Sequence, residues 1–95
     1  MGKLVVRRGD VNDAGGVAMK GASTVLANGR PIVYPGTRVS PHPCCGAKGC
    51  GKHCSASTTG GSGTVFVEGK PVIRVGDSDT CGHSRASGSP NVMVA

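Results

Sequence analysis

The sequence predicts a small, mainly β fold of three related units with pseudo-threefold symmetry, tied together by a metal. Three observations carry that expectation. The chain aligns with itself, its short β-branched runs are broken by Gly-containing turns with no long amphipathic helix between them, and its five Cys and three His all fall between residues 42 and 83.

The self-alignment organises the chain. Gly21-Ala-Ser-Thr-Val-Leu-Ala-Asn-Gly29-Arg-Pro31 matches Gly61-Ser-Gly-Thr-Val-Phe-Val-Glu-Gly69-Lys-Pro71 without a gap, and Gly36 and Gly76 continue the register. A third copy is split between the termini: Arg7, Gly9, Asp10, Gly21 and Val25 correspond, at one constant offset, to Arg74, Gly76, Asp77, Gly88 and Val92. Repeats of this kind bury together faces that one copy cannot bury alone.

Each copy reads as a short strand, a turn, a second short strand and a Gly-Asp-type corner. The run Thr64 to Val67 before Glu68-Gly69 is a strand entering a tight hairpin. Asn28-Gly29 is the stronger turn signal, because primed two-residue turns need positive φ. Pro31 and Pro71 follow at once, a place where a residue without an N–H is tolerated on an edge or at a strand's first position. The corner-to-next-copy spacing is equal for Asp10 to Gly21 and Asp77 to Gly88 but thirteen residues longer for Thr37 to Gly61. Residues 38–60 are therefore read as a loop insertion within one domain spanning 1–95.

Composition explains why a metal is expected. A 95-residue chain buries only about 60 to 65% of the surface its unfolded form exposes. There is no Trp, Phe66 and Tyr34 are the only aromatics besides His, and each of the 17 Gly adds roughly 0.5–1 kcal/mol of ordering entropy within a strand. A disulfide, a metal or a partner must supplement so thin a core. Neither end reads as a targeting signal, since Met1 to Val6 runs at once into Arg7-Arg8, and no stretch approaches about 18 apolar residues. Synthesis in the cytosol follows, where reduced thiols favour metal over disulfides.

The ligand-type residues cluster in Pro41-His42-Pro43-Cys44-Cys45-Gly46-Ala47-Lys48-Gly49-Cys50-Gly51-Lys52-His53-Cys54 and in Cys81-Gly82-His83. Zinc takes four imidazole or thiolate ligands in closed structural sites that contribute folding energy outright. Iron is the alternative with such ligands. The competing reading is a loop stapled only by a disulfide such as Cys45–Cys50. Spacing alone does not select the four ligands, because the paired C-x₂-C pattern of zinc fingers is missing.

The net charge of +6 does not by itself imply a nucleic-acid partner. The Lys and Arg are scattered as singles and pairs, and the aromatic platforms that stack bases are missing. An enzyme is disfavoured too. Asp77 and Asp79 beside Cys81 and His83 resemble a nucleophile triad on paper, but Gly-Asp corners recur in copies without Cys or His, so Asp77 is more simply a turn former. The remaining alternative is a free-standing zinc-binding adaptor for nucleic acid or an effector.

Units of the form Gly-Ser-x-x-Val-x-Val-x-Gly-Lys-Pro followed by an apolar-Arg-x-Gly-Asp corner resemble the PAAR-repeat family over essentially the whole chain, most strongly from Gly61 to Asp77 and in Gly88-Ser89-Pro90-Asn91-Val92. The eponymous Pro-Ala-Ala-Arg stands here as Pro71-Val72-Ile73-Arg74 and Pro31-Ile32-Val33-Tyr34, and the second corner is Gly36-Thr37. The resemblance implies a cone of three short-stranded faces with a metal near its vertex. Its blunt base would cap a trimeric β-helical spike, one tip per trimer, in a phage tail baseplate or a type VI secretion system. It implies a non-enzymatic, membrane-piercing tip, made in the bacterial cytoplasm and assembled into the virion tail or secretion spike, touching the target membrane only transiently. Family members typically use three His and one Cys, which makes His42, His53, Cys81 and His83 the leading metal set and Cys54 the reserve. The first corner has Ala14 where relatives often carry a His. Base attachment would use exposed strand edges and apolar residues such as Val25, Val65 and Val92. With no extension past Ala95, any effector would have to bind non-covalently.

Overall fold

The computed structural model describes residues 2–42 and 51–94. The fold is mainly β, with three two-stranded antiparallel ribbons and a single 3₁₀ turn, Gly51–His53, among the described residues. β2 (Leu26–Ala27) pairs with β3 (Arg30–Pro31), and β4 (Phe66–Val67) with β5 (Lys70–Pro71). The third ribbon joins the two ends of the chain, β1 (Lys3–Leu4) lying against β6 (Met93–Val94).

The two continuous hairpins turn through left-handed residues at both central positions, Asn28 (φ 54°) with Gly29 (φ 79°) and Glu68 (φ 51°) with Gly69 (φ 78°). Positive φ at both positions is what a type I′ turn requires. Glu68 adopts it without the help of an Asn or Gly, and its carboxylate accepts hydrogen bonds from the Ser23 hydroxyl and from the backbone and hydroxyl of Thr24 in the neighbouring copy.

Below the ribbons the threefold relation is carried by backbone hydrogen bonds. Ala22 N–H donates to Ile32, Ser62 to Val72 and Ser89 to Val5, at 2.7 to 2.8 Å. One residue further along, Val6 donates to Ile73, Ile73 to Val33 and Val33 to Val6, each at 3.0 Å, closing a ring through all three copies. The corners repeat the pattern, with Ala18, Thr58 and Arg85 N–H donating to the carbonyls of Asp10, Thr37 and Asp77. Short strands therefore suffice, because each copy completes its backbone pairing with its neighbours.

The core follows the same tiers and narrows along them. Among the described residues, the ribbon tier buries Val5, Ala22, Ala27, Ile32, Val67 and Val72; the next buries Val6, Ala18, Val33 and Ile73; the last holds Val39, Ala56 and Cys81. Two corners are locked by matching ion pairs, Arg7 to Asp10 and Arg74 to Asp77, both at 3.0 Å. Burial pushes the Asp10 carboxyl up, but the hydrogen bonds from Arg7 outweigh it and leave the group below the usual carboxylate range.

Candidate metal centre

Past the narrow tier, the second and third copies bring four ligand-type side chains together. His42 enters on the first arm of the inserted loop and His53 on its return, where the His42 N–H meets the His53 carbonyl at 3.3 Å. Cys81 and His83 come from the third corner, a tight turn in which Gly82 (φ 93°) donates to the Asp79 carbonyl and Asp79 to that of His83. His42, His53 and Cys81 are buried and His83 is partly so, and one donor atom from each lies within 4.8 Å of all the others.

The ring orientations are set from outside the group. His42 Nδ1 donates to the Ser40 carbonyl at 2.8 Å, which turns Nε2 inward to 3.2 Å from His53 Nδ1 and 3.5 Å from the Cys81 sulfur. His83 Nδ1 donates to Asp13 at 2.9 Å, leaving Nε2 as its remaining donor position. Four ligands around zinc, with bonds of about 2.0 to 2.1 Å to nitrogen and about 2.3 Å to sulfur, stand roughly 3.3 to 3.6 Å apart. The separations of 3.2 and 3.5 Å around His42 Nε2 and the three-imidazole, one-thiol donor set suit such an ion, while the group as a whole spans up to 4.8 Å.

A polar tier supports the group from beneath. The Arg85 and Asp79 side chains are completely buried and meet at 2.9 Å. Asn12 donates to the same Asp79 oxygen at 2.8 Å, and Arg85 also donates to the carbonyls of Asp10 and Gly16. Gly16 is fixed by crowding: a Cβ there would lie 2.6 Å from His42 Nδ1 and 2.7 Å from both Asn12 Nδ2 and a Val39 methyl. The first copy thus supplies no ligand, but its backbone and Asn12 form the floor on which His42 rests.

All four residues of the leading set, His42, His53, Cys81 and His83, are brought to one place. Cys54 is disulfide-bonded, which takes its sulfur out of the donor set, whereas Cys81 is a free, buried cysteine. Cys44, Cys45 and Cys50 lie outside the described residues. The paper triad does not assemble: the carboxylate on His83 is Asp13, while Asp77 is held by Arg74 and Asp79 by Arg85 and Asn12. Sequence reasoning missed Asp13, Asn12 and Arg85. Of the apolar residues expected at the base, Val65 and Val92 pack against the core while Val25 is exposed at 37%, and their sequence neighbours Leu26, Phe66 and Met93 are more exposed, at 57%, 56% and 57%.

Three interlocked β units that narrow toward one group of three His and one Cys define a small repeat protein whose tip is equipped to hold a metal. The family model described as PAAR motif matches residues 8–87, and the chain belongs to that family. No curated protein matches the chain significantly.

Proposed function

We propose that the protein is a non-enzymatic spike tip: a metal-pinned cap on the end of a trimeric β-helical spike of a contractile phage tail or a type VI secretion system. Membership of the PAAR-motif family supports the role, and the observation that carries the docking mode is the ring formed by Leu26, Phe66 and Met93. These three occupy equivalent positions in the three ribbons, all exposed, in ribbons whose buried residues form a cluster separate from that of Cys81. Lys3, Arg30 and Lys70 accompany them at equivalent positions on the partner strands. A threefold apolar patch rimmed by charge suits a threefold partner.

His42, His53, Cys81 and His83 would hold the ion, zinc in preference to iron. Once bound, it supplies a cross-link between two copies where no apolar core fits. The chain would be made in the bacterial cytoplasm and carried outward on its spike.

Mixing the protein with a trimeric fragment of its cognate spike is expected to give one tip per trimer by light scattering, and Leu26→Asp with Phe66→Asp is expected to abolish the complex while leaving the fold intact. Any other ratio, or undiminished binding by that variant, would overturn the docking mode. At the metal, Asp13→Ala is expected to weaken retention about 10- to 100-fold in competition with a chelator. Asp13→Asn, which keeps an acceptor for His83 Nδ1, should weaken it less.

A further inference from the structure

The three copies are not equivalent at one place. In the first and third, an arginine folds over its own corner aspartate and reaches back to the glycine carbonyl that opens its own copy, Arg7 to Gly88 at 3.2 Å and Arg74 to Gly61 at 3.1 Å. The second copy has Tyr34 and Thr37 at those positions. Among the described residues, no side chain donates to the corresponding Gly21 carbonyl. Where the other copies are closed by an ion pair, a recess of about 380 Å³ opens, lined by Met19, Lys20, Tyr34, Gly36, Thr37 and Arg38.

The chemistry of that recess is one-sided. Met19 is half exposed and, with the Tyr34 ring, gives it an apolar wall. Lys20 and Arg38 are exposed at its rim, and the Lys70 ammonium sits 4.1 Å over the Tyr34 ring. No acidic residue lines it. The chain has only five acids, and each is engaged elsewhere: Asp10 by Arg7, Asp13 by His83, Glu68 by Ser23 and Thr24, Asp77 by Arg74, and Asp79 by Arg85. Lys20, Arg38 and Lys70 enter no ion pair among the described residues.

We infer that this recess is a docking site for an acidic polypeptide segment that inserts one apolar side chain between Met19 and Tyr34 and lays its carboxylates along Lys20 and Arg38. The volume suits one or two side chains, and the uncompensated cations supply the charge complementarity that favours acidic partners. Single-stranded nucleic acid is the poorer fit, because it needs open aromatic faces and the one tyrosine here is half-buried beneath Lys70. The site uses none of Leu26, Phe66 or Met93, so a cargo protein could occupy it while the ribbons hold a spike.

Fluorescence anisotropy of the full-length protein with a labelled synthetic peptide of Asp and Glu carrying one central Phe tests this. Saturable one-to-one binding is expected, weakened about tenfold or more by Lys20→Glu with Arg38→Glu. The same loss is expected from Tyr34→Arg with Thr37→Asp, which restores the ion pair of the other copies and closes the recess. Should that second variant fail to fold, the surface pair decides alone. The inference is overturned by absence of binding, by binding indifferent to the charge reversals, by equal affinity when the Phe is replaced with Ser, or by a single-stranded oligonucleotide that binds more tightly with the same residue dependence.

Discussion

Replacing any one of His42, His53, Cys81 or His83 with alanine is expected to release the metal and to lower stability by about 4 kcal/mol or more, roughly 20 °C in melting temperature for a chain of this size. The magnitude follows from what the site spans. The His pair belongs to the inserted loop and the Cys–His pair to the third corner, and among the described residues the apolar cluster next to them is small, Val39, Ala56 and Cys81. Among the described residues the loop otherwise meets the corner along Ser57 to Thr59, through the Thr58–Asp79 bridge and the hydrogen bonds that join Ser57 with Thr80 and Thr59 with Ser78. Elemental analysis and thermal melts of the four variants, with exposed Arg8→Ala as control, check the expectation. Unchanged melting in all four, with no metal in the parent protein, would remove the ion from the stability account.

A second large effect is expected at Arg85. Its guanidinium is fully buried against an equally buried Asp79, yet the pair is geometrically incomplete, because Asp79 Oδ1 and Arg85 Nε have no hydrogen-bond partner. Arg85→Met should destabilise by about 3–5 kcal/mol, since it strands a buried carboxylate and also drops the hydrogen bonds to the Asp10 and Gly16 carbonyls. Adding Asp79→Asn should recover part of the loss, the amide being cheaper to bury than an unpaired charge. Urea denaturation of the two single variants and the double variant, with metal content held at the parental level, gives the coupling directly. A double variant no more stable than Arg85→Met would assign the loss to the carbonyl contacts and the missing volume.

What could be read from the sequence, and what could not, divides along physical lines. The repeat was legible because backbone demands repeat with it: the left-handed pair Asn28-Gly29 recurs as Glu68-Gly69, and the Gly-Asp corners recur with their arginines. The four converging side chains could be named through the family resemblance, whose three-His, one-Cys set takes every His of the chain and one of its five Cys. Asp13 was not legible, because its contact with His83 joins two corners 70 residues apart and an exposed aspartate carries no local mark of its partner. Arg85 was hidden for a different reason, as an arginine near a chain end reads as solvated surface unless the enclosing carbonyls are known. How Val25, Val65 and Val92 divide between core and surface relative to Leu26, Phe66 and Met93 is a matter of strand parity. A two-residue strand has too little alternation to settle it, and a shift of one residue exchanges the faces.

The ring in which Val6, Val33 and Ile73 each donate to the next has a consequence for how the molecule comes into being. No link of that ring lies within a single copy, and its first member stands at the start of the chain, while the partner of β1 is the last strand, β6. Two copies without the third would leave donors and acceptors of the ring facing an apolar interior, so a half-assembled form has no resting place. Closure must await nearly the whole polypeptide, which makes folding slow to begin, dominated by long-range contacts, and all-or-none once begun. Under the proposed role, a body that closes in that way would meet load as one cooperative unit rather than copy by copy.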